Sequence, residues 1–324
     1  MRPNPTSHLL LPFAACNAAA WRPTLQAMPQ GKLAHLGKLL QGMHKVETDT
    51  RGENTLSPPH ERALARALGL ATSQTPDGLI PWAAQSAIAH LPACRGKGWA
   101  WITPCHWAMG HLHATLTDPA ALDLRESESR RLLAIVQPYF ETDGITLHYL
   151  APDRWLAEAA LFRTLPTASL DRVLARNVDA WLPDAPEAAA LRRLQNEVQM
   201  LLYTHPFNDE RAAKGQLPVN SFWVSGTGEW PGAGITPAAG ISAPRHLAEA
   251  VFKEDWVGYA QAWEQLDAGE IQQLLQRQRA GETVQLTLCG EQSAQTFETR
   301  QTRPWTKITS LFRPLRILDL LEKL

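Results

Sequence analysis

The stretch LPVNSFWVSGTGEWPG, residues 217–232, joins an apolar run to a segment with three glycines within seven residues. The apolar run over 217–224 predicts a short strand, and Gly226, Gly228 and Gly232 predict a loop directly after it. Glycine allows positive φ and close approach of the backbone, so such a loop can turn consecutive N–H groups toward an anion. The spacing fits neither a dinucleotide fingerprint nor a P-loop. The sequence therefore leaves two interpretations, a plain turn and an anion cradle.

Strand and helix patterns alternate on both sides of this stretch, which is typical of an α/β sheet with helices on both faces. In the segment 56–70, Ser57 as N-cap, Pro58 at the first helical position and Gly69 as stop predict a helix with defined ends. We expect one α/β domain over 1–324, and the pattern leaves open a smaller α+β lobe inserted over 98–160. The predicted strands cover 8–14, 98–104, 113–119, 144–150 and 283–290, and the predicted helices 24–43, 56–70, 126–141, 186–206, 246–266, 268–282 and the end of 304–324.

Composition excludes several classes of function. The chain has 324 residues, 44% of them hydrophobic and 19% charged, with a formal net charge of -1. That charge provides no overall field to attract nucleic acid or anionic lipid, so neither is an expected partner. No run of about 18 apolar residues predicts a membrane span. Four cysteines without a C-x-x-C pair predict reduced thiols, and we expect a cytoplasmic protein.

Three histidines lie close together in the segment TPCHWAMGHLH, residues 103–113. His111 and His113, if they are on a strand, project to the same side, and His106 precedes them. Imidazoles arranged in this way can hold a divalent metal such as zinc, manganese or iron. The alternative is that backbone groups and water satisfy these histidines, and no H-E-x-x-H helix supports the metal.

A second set of polar residues surrounds the stretch 217–232. Glu197 lies within a predicted helix, His205 at its end and Asn208 in the loop that follows. Asn220 and Ser221 begin the predicted strand, so these side chains could meet in one cleft. The alternative assigns them to helix caps and solvated faces. With the strand and loop, the candidate ligand-binding residues are Glu197, His205, Asn208, Asn220, Ser221, Trp223, Ser225, Gly226, Thr227 and Gly228.

The segment NSFWVSGTGEWP resembles N-x-I-W-L-W-G-x-G-x-x-P of the archaeal-type, cofactor-independent phosphoglycerate mutases. Its matching residues are Asn220, Trp223, Gly226, Gly228 and Pro231. Most of the chain also resembles proteobacterial proteins described as RpfE-type regulatory or phosphoglycerate mutase-like, through SPPHERALARALG, LQNEVQMLLYTHP and LPVNSFW. The resemblance implies an alkaline-phosphatase-like α/β fold.

The mutases hold two metal ions with Asp and His, and this chain departs from that pattern at three places. Residues 12–14, Pro-Phe-Ala, stand where the family has Asp-Gly after its first strand. Residues 290–293, Gly-Glu-Gln-Ser, stand where it has Gly-Asp-His-Ser, so that Glu291 alone keeps a carboxylate. The segment before that strand offers Asp267 and Glu270 but no histidine. We therefore expect that the two-metal phosphomutase site is absent.

The resulting hypothesis is a regulatory or metabolite-sensing relative of the mutases that binds a small anionic or phosphorylated ligand and needs no cofactor. One alternative is an active phosphoglycerate mutase or phosphohydrolase with rearranged metal ligands. Another is a protein–protein interaction module that uses its tryptophans and its terminal amphipathic helix to bind a protein partner.

Overall fold

Strands and helices alternate along the chain, which confirms the predicted α/β class. The computed structural model describes residues 7–29, 31–91, 94–110, 113–232, 240–300 and 317–324. The strands of the described residues are β1 Ser7–Leu11, β2 Met43–Thr50, β3 Gly98–Cys105, β4 Trp107–Met109, β5 Ala114–Leu116, β6 Thr146–Ala151, β7 Arg154–Glu158, β8 Ser221–Glu229, β9 Ile241–Ser242, β10 Val284–Cys289 and β11 Ser293–Thr299.

The helices differ in length and include one π segment, Asp267–Ile271, between the last two long ones. The α-helices are α1 Trp21–Ala27, α2 Ala34–Gln41, α3 Pro59–Ala67, α4 Trp82–His90, α5 Glu126–Thr142, α6 Leu170–Val173, α7 Ala189–Tyr203, α8 Pro206–Ala213, α9 His246–Phe252, α10 Trp256–Leu266, α11 Gln272–Arg279 and α12 Ile317–Leu321. Short 3-10 turns cover Pro119–Leu122, Ala160–Arg163, Asp179–Trp181 and Pro186–Ala188. No helix within the described ranges is both long and apolar enough to cross a bilayer.

The chain divides into two compact units. The first comprises described residues within 1–54, 58–69 and 236–324, and the second those within 55–57 and 70–235. The second unit contains the 98–160 stretch for which a smaller lobe is predicted, and it extends beyond that stretch on both sides. A single domain over 1–324 stays a prediction.

The first unit is built on a five-stranded sheet in the order β2-β11-β10-β1-β9. β1 runs parallel to β10 and β9, whereas β10, β11 and β2 pair antiparallel. Leu9 and Leu11 lie in the large core that α1, α2, α9, α10 and α11 cover. Leu10 points to the opposite face and packs beside Ala63 of α3. Because successive strand residues alternate between faces, this sheet has helices on both faces, as the sequence predicts.

The second unit contains a four-stranded antiparallel sheet in the order β6-β7-β3-β8 and a two-stranded sheet of β4 and β5. One face of the larger sheet packs against α5 and α7 through residues such as Phe140 and Leu194. The other face carries Trp99 and Leu156 and packs against the alanines of α4. The residues predicted to form the ligand site belong to this unit.

Several local predictions are wrong. The predicted helix 246–266 is two helices, α9 and α10. The predicted helix 24–43 is two helices, α1 and α2, because Pro29 and Gly31, with φ of 88°, interrupt it. Helix α3 begins one residue later than expected, with Pro58 as N-cap and no side-chain cap, while the Ser57 hydroxyl accepts from the Gly78 N–H at 3.1 Å. The predicted glycine loop after residue 224 is instead the second half of strand β8.

Candidate functional site

The glycines of the opening stretch shape a strand and not a loop. β8 pairs with β3, and the register shifts between Trp99, which faces Gly228, and Trp101, which faces Ser225. This shift is a β-bulge, in which extra residues of one strand oppose a single residue of its partner. Gly226 has φ of 64° and Gly228 has φ of 149°, so both occupy conformations that glycine adopts without strain.

Close packing also explains why these two positions lack side chains. A Cβ on Gly226 would lie 2.9 Å from the Trp101 ring and 3.2 Å from Cβ of Trp82, the first residue of α4. A Cβ on Gly228 would lie 2.8 Å from Cβ of Pro81. The glycines therefore let the beginning of α4 approach the strand. Gly232 has open space around it, and residues 233–239 lie outside the described ranges.

Thr227, between the two glycines, has its polar capacity used inside the protein. Its side chain is fully buried, and its Oγ1 lies 2.7 Å from the Leu165 carbonyl oxygen and 3.1 Å from that of Gly78. The Thr167 hydroxyl lies 3.0 Å from it. The Thr227 hydroxyl therefore connects the strand to two other segments of the second unit.

The predicted polar residues around the stretch mostly bind backbone groups. Asn220 accepts from the Trp107 N–H at 2.7 Å and donates to the Trp107 carbonyl at 3.0 Å. Asn208 forms the same kind of pair with Val219, and its amide also donates to the Leu202 carbonyl. These contacts hold the chain that leads into β8 beside α8 and the β4 hairpin. They bring Asn208 close to the segment that contains Asn220.

Other predicted members lie in different surroundings. His205 is the N-cap of α8, where its Nδ1 accepts from the Phe207 N–H at 3.1 Å. Glu197 is exposed on α7 and pairs with Arg193 at 3.5 Å. Ser221 is buried and accepts from Gln199 Nε2 at 3.2 Å. Trp223 and Ser225 are buried in β8, and the Trp223 indole donates to the Ala168 carbonyl at 3.0 Å. Ligand binding by this set stays a prediction.

The structure describes two of the three histidines, His106 and His113. His106 is half-buried and its Nδ1 lies 2.9 Å from the Pro218 carbonyl oxygen, while His113 is exposed. His111 lies outside the described residues. Where the structure describes the chain, His106 and His113 belong to no group of three potential metal ligands. A divalent metal at this place stays a prediction.

At the carboxyl edge of the sheet in the first unit, the residues that follow β1 are apolar and buried. Phe13, just after β1, is buried with φ of 53°, and the Ala14 N–H donates to the Cys289 carbonyl at 2.8 Å. The Tyr259 hydroxyl, 2.9 Å from the Phe13 carbonyl and 3.0 Å from that of Ala14, accepts from the Trp21 indole N–H at 3.0 Å. Burial raises the pKa of Tyr259, so it is a neutral hydrogen-bonding group here.

Glu291 and Asp267, the acidic candidates for metal ligands, accept hydrogen bonds from backbone N–H groups. Glu291 is half-buried, and its carboxylate accepts from the Asn17 N–H at 3.1 Å. Asp267 is buried and caps α2 by accepting from the backbone N–H groups of His35 at 3.1 Å and Leu36 at 2.8 Å. Asp267 thereby satisfies two of the N–H groups that every helix start leaves unpaired.

Burial disfavours the thiolate form of three of the four cysteines. All four are free and buried. Burial raises the pKa of Cys16 to about 11, and it raises the pKa values of Cys105 and Cys289 as well. A thiol with such a pKa stays protonated at neutral pH and is a poor nucleophile.

A cluster of arginines around Asp49 lies at the same edge of the sheet. Arg62 donates to Asp49 from Nε at 3.0 Å and from Nη2 at 3.2 Å, and Arg66 donates from Nη1 at 2.7 Å. Arg51 Nε lies 3.7 Å from Asp49 Oδ1. Burial raises the pKa of Asp49, but the hydrogen bonds from Arg62 and Arg66 outweigh burial and hold that pKa below its usual value. We call Asp49, Arg51, Arg62 and Arg66 the arginine cluster.

No family model matches the chain, and no curated protein matches it. Among solved structures, the cofactor-independent phosphoglycerate mutase from Thermoplasma acidophilum DSM 1728 is similar over 92% of this chain and 90% of its own, with 11% identity and a TM-score of 0.36. The PH0037 protein from Pyrococcus horikoshii is similar over 91% of this chain and 87% of its own, with 10% identity and a TM-score of 0.43.

The relationship is distant. The sequence prediction missed the arginine cluster, because its contacts join residues 13 and 17 positions apart on different elements. The signal in the sequence is the spacing of Arg62 and Arg66, four residues apart on one face of a helix.

Proposed function

We propose that this chain is a metabolite-binding, regulatory relative of the phosphoglycerate mutases that recognises a small anionic or phosphorylated ligand without two-metal phosphoryl transfer. The observation that carries the proposal is the carboxyl edge of the sheet in the first unit. There β1 is followed by the buried, apolar residues 12–14, and the turn after β10 supplies one carboxylate, Glu291, which accepts from a backbone N–H.

Two-metal phosphoryl transfer needs ligands that hold both ions and neutralise the transferring oxygens. Pro12, Phe13 and Ala14 have no side-chain donor atom for a metal. Asp267, the acidic residue of the third expected position, is occupied as the cap of α2. These contacts favour a relative of the mutases that binds its ligand through hydrogen bonds and charge.

The resemblance of the segment 220–231 to the mutase motif gives the ligand class. In this chain that segment supports the packing of α4 on β8, so we assign it a structural role. Charged groups elsewhere in the chain would then bind the anion. Such a protein would respond to the concentration of a metabolite, since a ligand that binds only the folded state stabilises that state.

The test is a thermal-unfolding screen of metal-free protein against phosphorylated and carboxylated metabolites, together with a phosphoglycerate mutase assay in the presence of zinc, manganese or magnesium. The proposal expects at least one anionic metabolite to raise the melting temperature in proportion to the logarithm of its concentration, and no turnover with any metal. Metal-dependent conversion of 3-phosphoglycerate would overturn it, and so would the absence of stabilisation by every anion.

A further inference from the structure

Three guanidinium groups of the arginine cluster share one buried carboxylate, that of Asp49. Three guanidinium groups approach the Asp49 carboxylate, at 2.7 Å from Arg66, 3.0 Å from Arg62 and 3.7 Å from Arg51. A second carboxylate, Glu47, lies 3.2 Å from Arg66 Nη2, but its side chain is 52% exposed. Exposed carboxylates are screened by water and salt, so Glu47 offsets little of the charge.

The cluster also has hydrogen-bond donors without acceptors. Arg66 Nε is buried and has no hydrogen-bond partner among the described residues. Arg51 Nε lies 3.7 Å from Asp49 Oδ1, and the Arg51 side chain is 32% exposed. A buried guanidinium N–H without an acceptor is unfavourable, so an added acceptor at this place would stabilise the cluster.

The position of the cluster suits a ligand. Asp49 lies opposite Ala294, and Ala294 lies opposite Cys289, the last residue of β10. The Arg51 N–H donates to the Gln292 carbonyl at 3.1 Å, which ties Arg51 to the turn after β10. In open α/β sheets, ligands bind outside the carboxyl ends of the parallel strands. The guanidinium groups therefore stand at the edge where such a fold binds its ligand.

The chemistry of the donors defines what they would bind. Guanidinium groups present N–H donors in a planar fork that matches the oxygens of phosphate and carboxylate. Arg62 is 4% exposed, and two of its nitrogens hold Asp49, so it fixes the carboxylate between the other two arginines. Arg51 and Arg66 are the members with exposed surface, at 32% and 22% of their side chains.

We propose that Arg51 and Arg66 bind the oxyanion group of a small metabolite, a phosphate monoester or a carboxylate, at the carboxyl edge of the sheet in the first unit. This inference rests on the proposed function, which requires an anionic ligand, and it gives that ligand a place. Asp49 orients the two guanidinium groups through its contacts with Arg66 at 2.7 Å and Arg51 at 3.7 Å.

The experiment follows the arginine Nε–Hε resonances of ¹⁵N-labelled protein by NMR at low ionic strength, during separate titrations with inorganic phosphate and with acetate. The resonances are assigned from the variants Arg51→Gln and Arg66→Lys. We expect saturable shifts of the Arg51 and Arg66 resonances with one of the two anions. Arg51→Gln should lower the affinity for that anion by at least about tenfold, whereas Arg66→Lys, which keeps the charge, should lower the affinity less.

Arg22→Gln is the matched control, because Arg22 is an exposed arginine of the same unit that pairs with Glu322 at 2.9 Å. Its affinity for the anion should equal that of the unchanged protein. Phosphate alone in the role of ligand indicates phosphate monoesters, and acetate alone indicates carboxylates.

Equal affinity in Arg51→Gln and in the unchanged protein would overturn the inference, as would shifts spread over all exposed arginines. The two proposals fail separately. If a metabolite stabilises the unchanged protein and Arg51→Gln to the same extent, the proposed function stands and this site is wrong. If no anion stabilises the unchanged protein, the proposed function and the site both fall.

Discussion

His8 should make the stability of this protein depend on pH between about 6.5 and 4. The side chain is buried in β1, and its Nε2 lies 2.8 Å from the Thr287 hydroxyl, which in turn lies 2.9 Å from the Thr296 hydroxyl. This chain of hydrogen bonds crosses β1, β10 and β11 and accommodates a neutral imidazole. Burial lowers the pKa of His8 from 6.5 to about 4, because the interior disfavours the charged form.

The sign follows from proton binding. Below pH 6.5 the unfolded chain takes up a proton at His8, whereas the folded protein resists protonation until about pH 4. The contribution of His8 to stability is therefore complete above pH 6.5 and is lost as the pH falls toward 4. A difference of one pKa unit corresponds to about 1.4 kcal/mol, so the full loss is about 3 kcal/mol and the loss at pH 5 is about 2 kcal/mol.

The assay is urea unfolding at a series of pH values from 7.5 to 4.5, for the unchanged protein and for His8→Gln, whose neutral amide does not titrate. We expect His8→Gln to have the lower stability at pH 7.5 and the shallower dependence on pH. His44→Gln is the control, since His44 is exposed on β2 of the same unit, and it should retain the slope of the unchanged protein. Parallel curves for His8→Gln and the unchanged protein would refute the reasoning.

Three further predictions concern the contacts that replace the expected loop and the arginine cluster. Gly226→Ala should lower the free energy of unfolding by about 2–5 kcal/mol, since the new Cβ meets Trp101 and the φ of 64° is strained for alanine. The control Gly215→Ala, at φ of 69° with open space around it, should cost about 1–2 kcal/mol. Equal losses in urea unfolding would show that the contact with Trp101 contributes nothing. Thr227→Val should cost about 1–3 kcal/mol because it removes the hydroxyl that serves the Leu165 and Gly78 carbonyls, and Thr227→Ser should restore most of that stability in the same measurement. Asp49→Asn should cost about 3–5 kcal/mol, because it removes the buried negative charge that Arg62 and Arg66 share. Asp153→Asn, at an exposed position, should change stability by less than about 0.5 kcal/mol, and similar values for the two variants would contradict the assigned role of Asp49.

Regular periodicity decided which elements the sequence could predict. Strand β3 and helices α5 and α7 appear within a few residues of the predicted positions, because their apolar residues repeat with the period of a strand or a helix and are buried. Strand β2 was missed, since MHKVETDT is mostly polar and only its residues Met43 and Asp49 are buried. A local pattern cannot contain information about a partner in space.

The opening stretch shows how a glycine motif can mislead. Gly226 and Gly228 predict a loop by their own preferences, but β3 and α4, which lie far away in sequence, use them for a bulge and a close approach. Asn208 and Asn220 are predicted ligand contacts because both residues lie beside the strand in sequence. Their hydrogen bonds to the backbone of Val219 and Trp107 depend on the tertiary fold. The arginine cluster depends on the same kind of long-range pairing.

The central claim is that this chain binds a small anion without phosphoryl transfer. The most direct measurement is the ³¹P NMR spectrum of 3-phosphoglycerate mixed with stoichiometric protein, first after removal of metals and then with zinc or magnesium added. We predict that no new resonance appears in either sample, and that the phosphate resonance broadens or shifts in both if phosphate monoesters are the ligand class. A resonance of 2-phosphoglycerate or of inorganic phosphate that grows only after metal is added would contradict the claim.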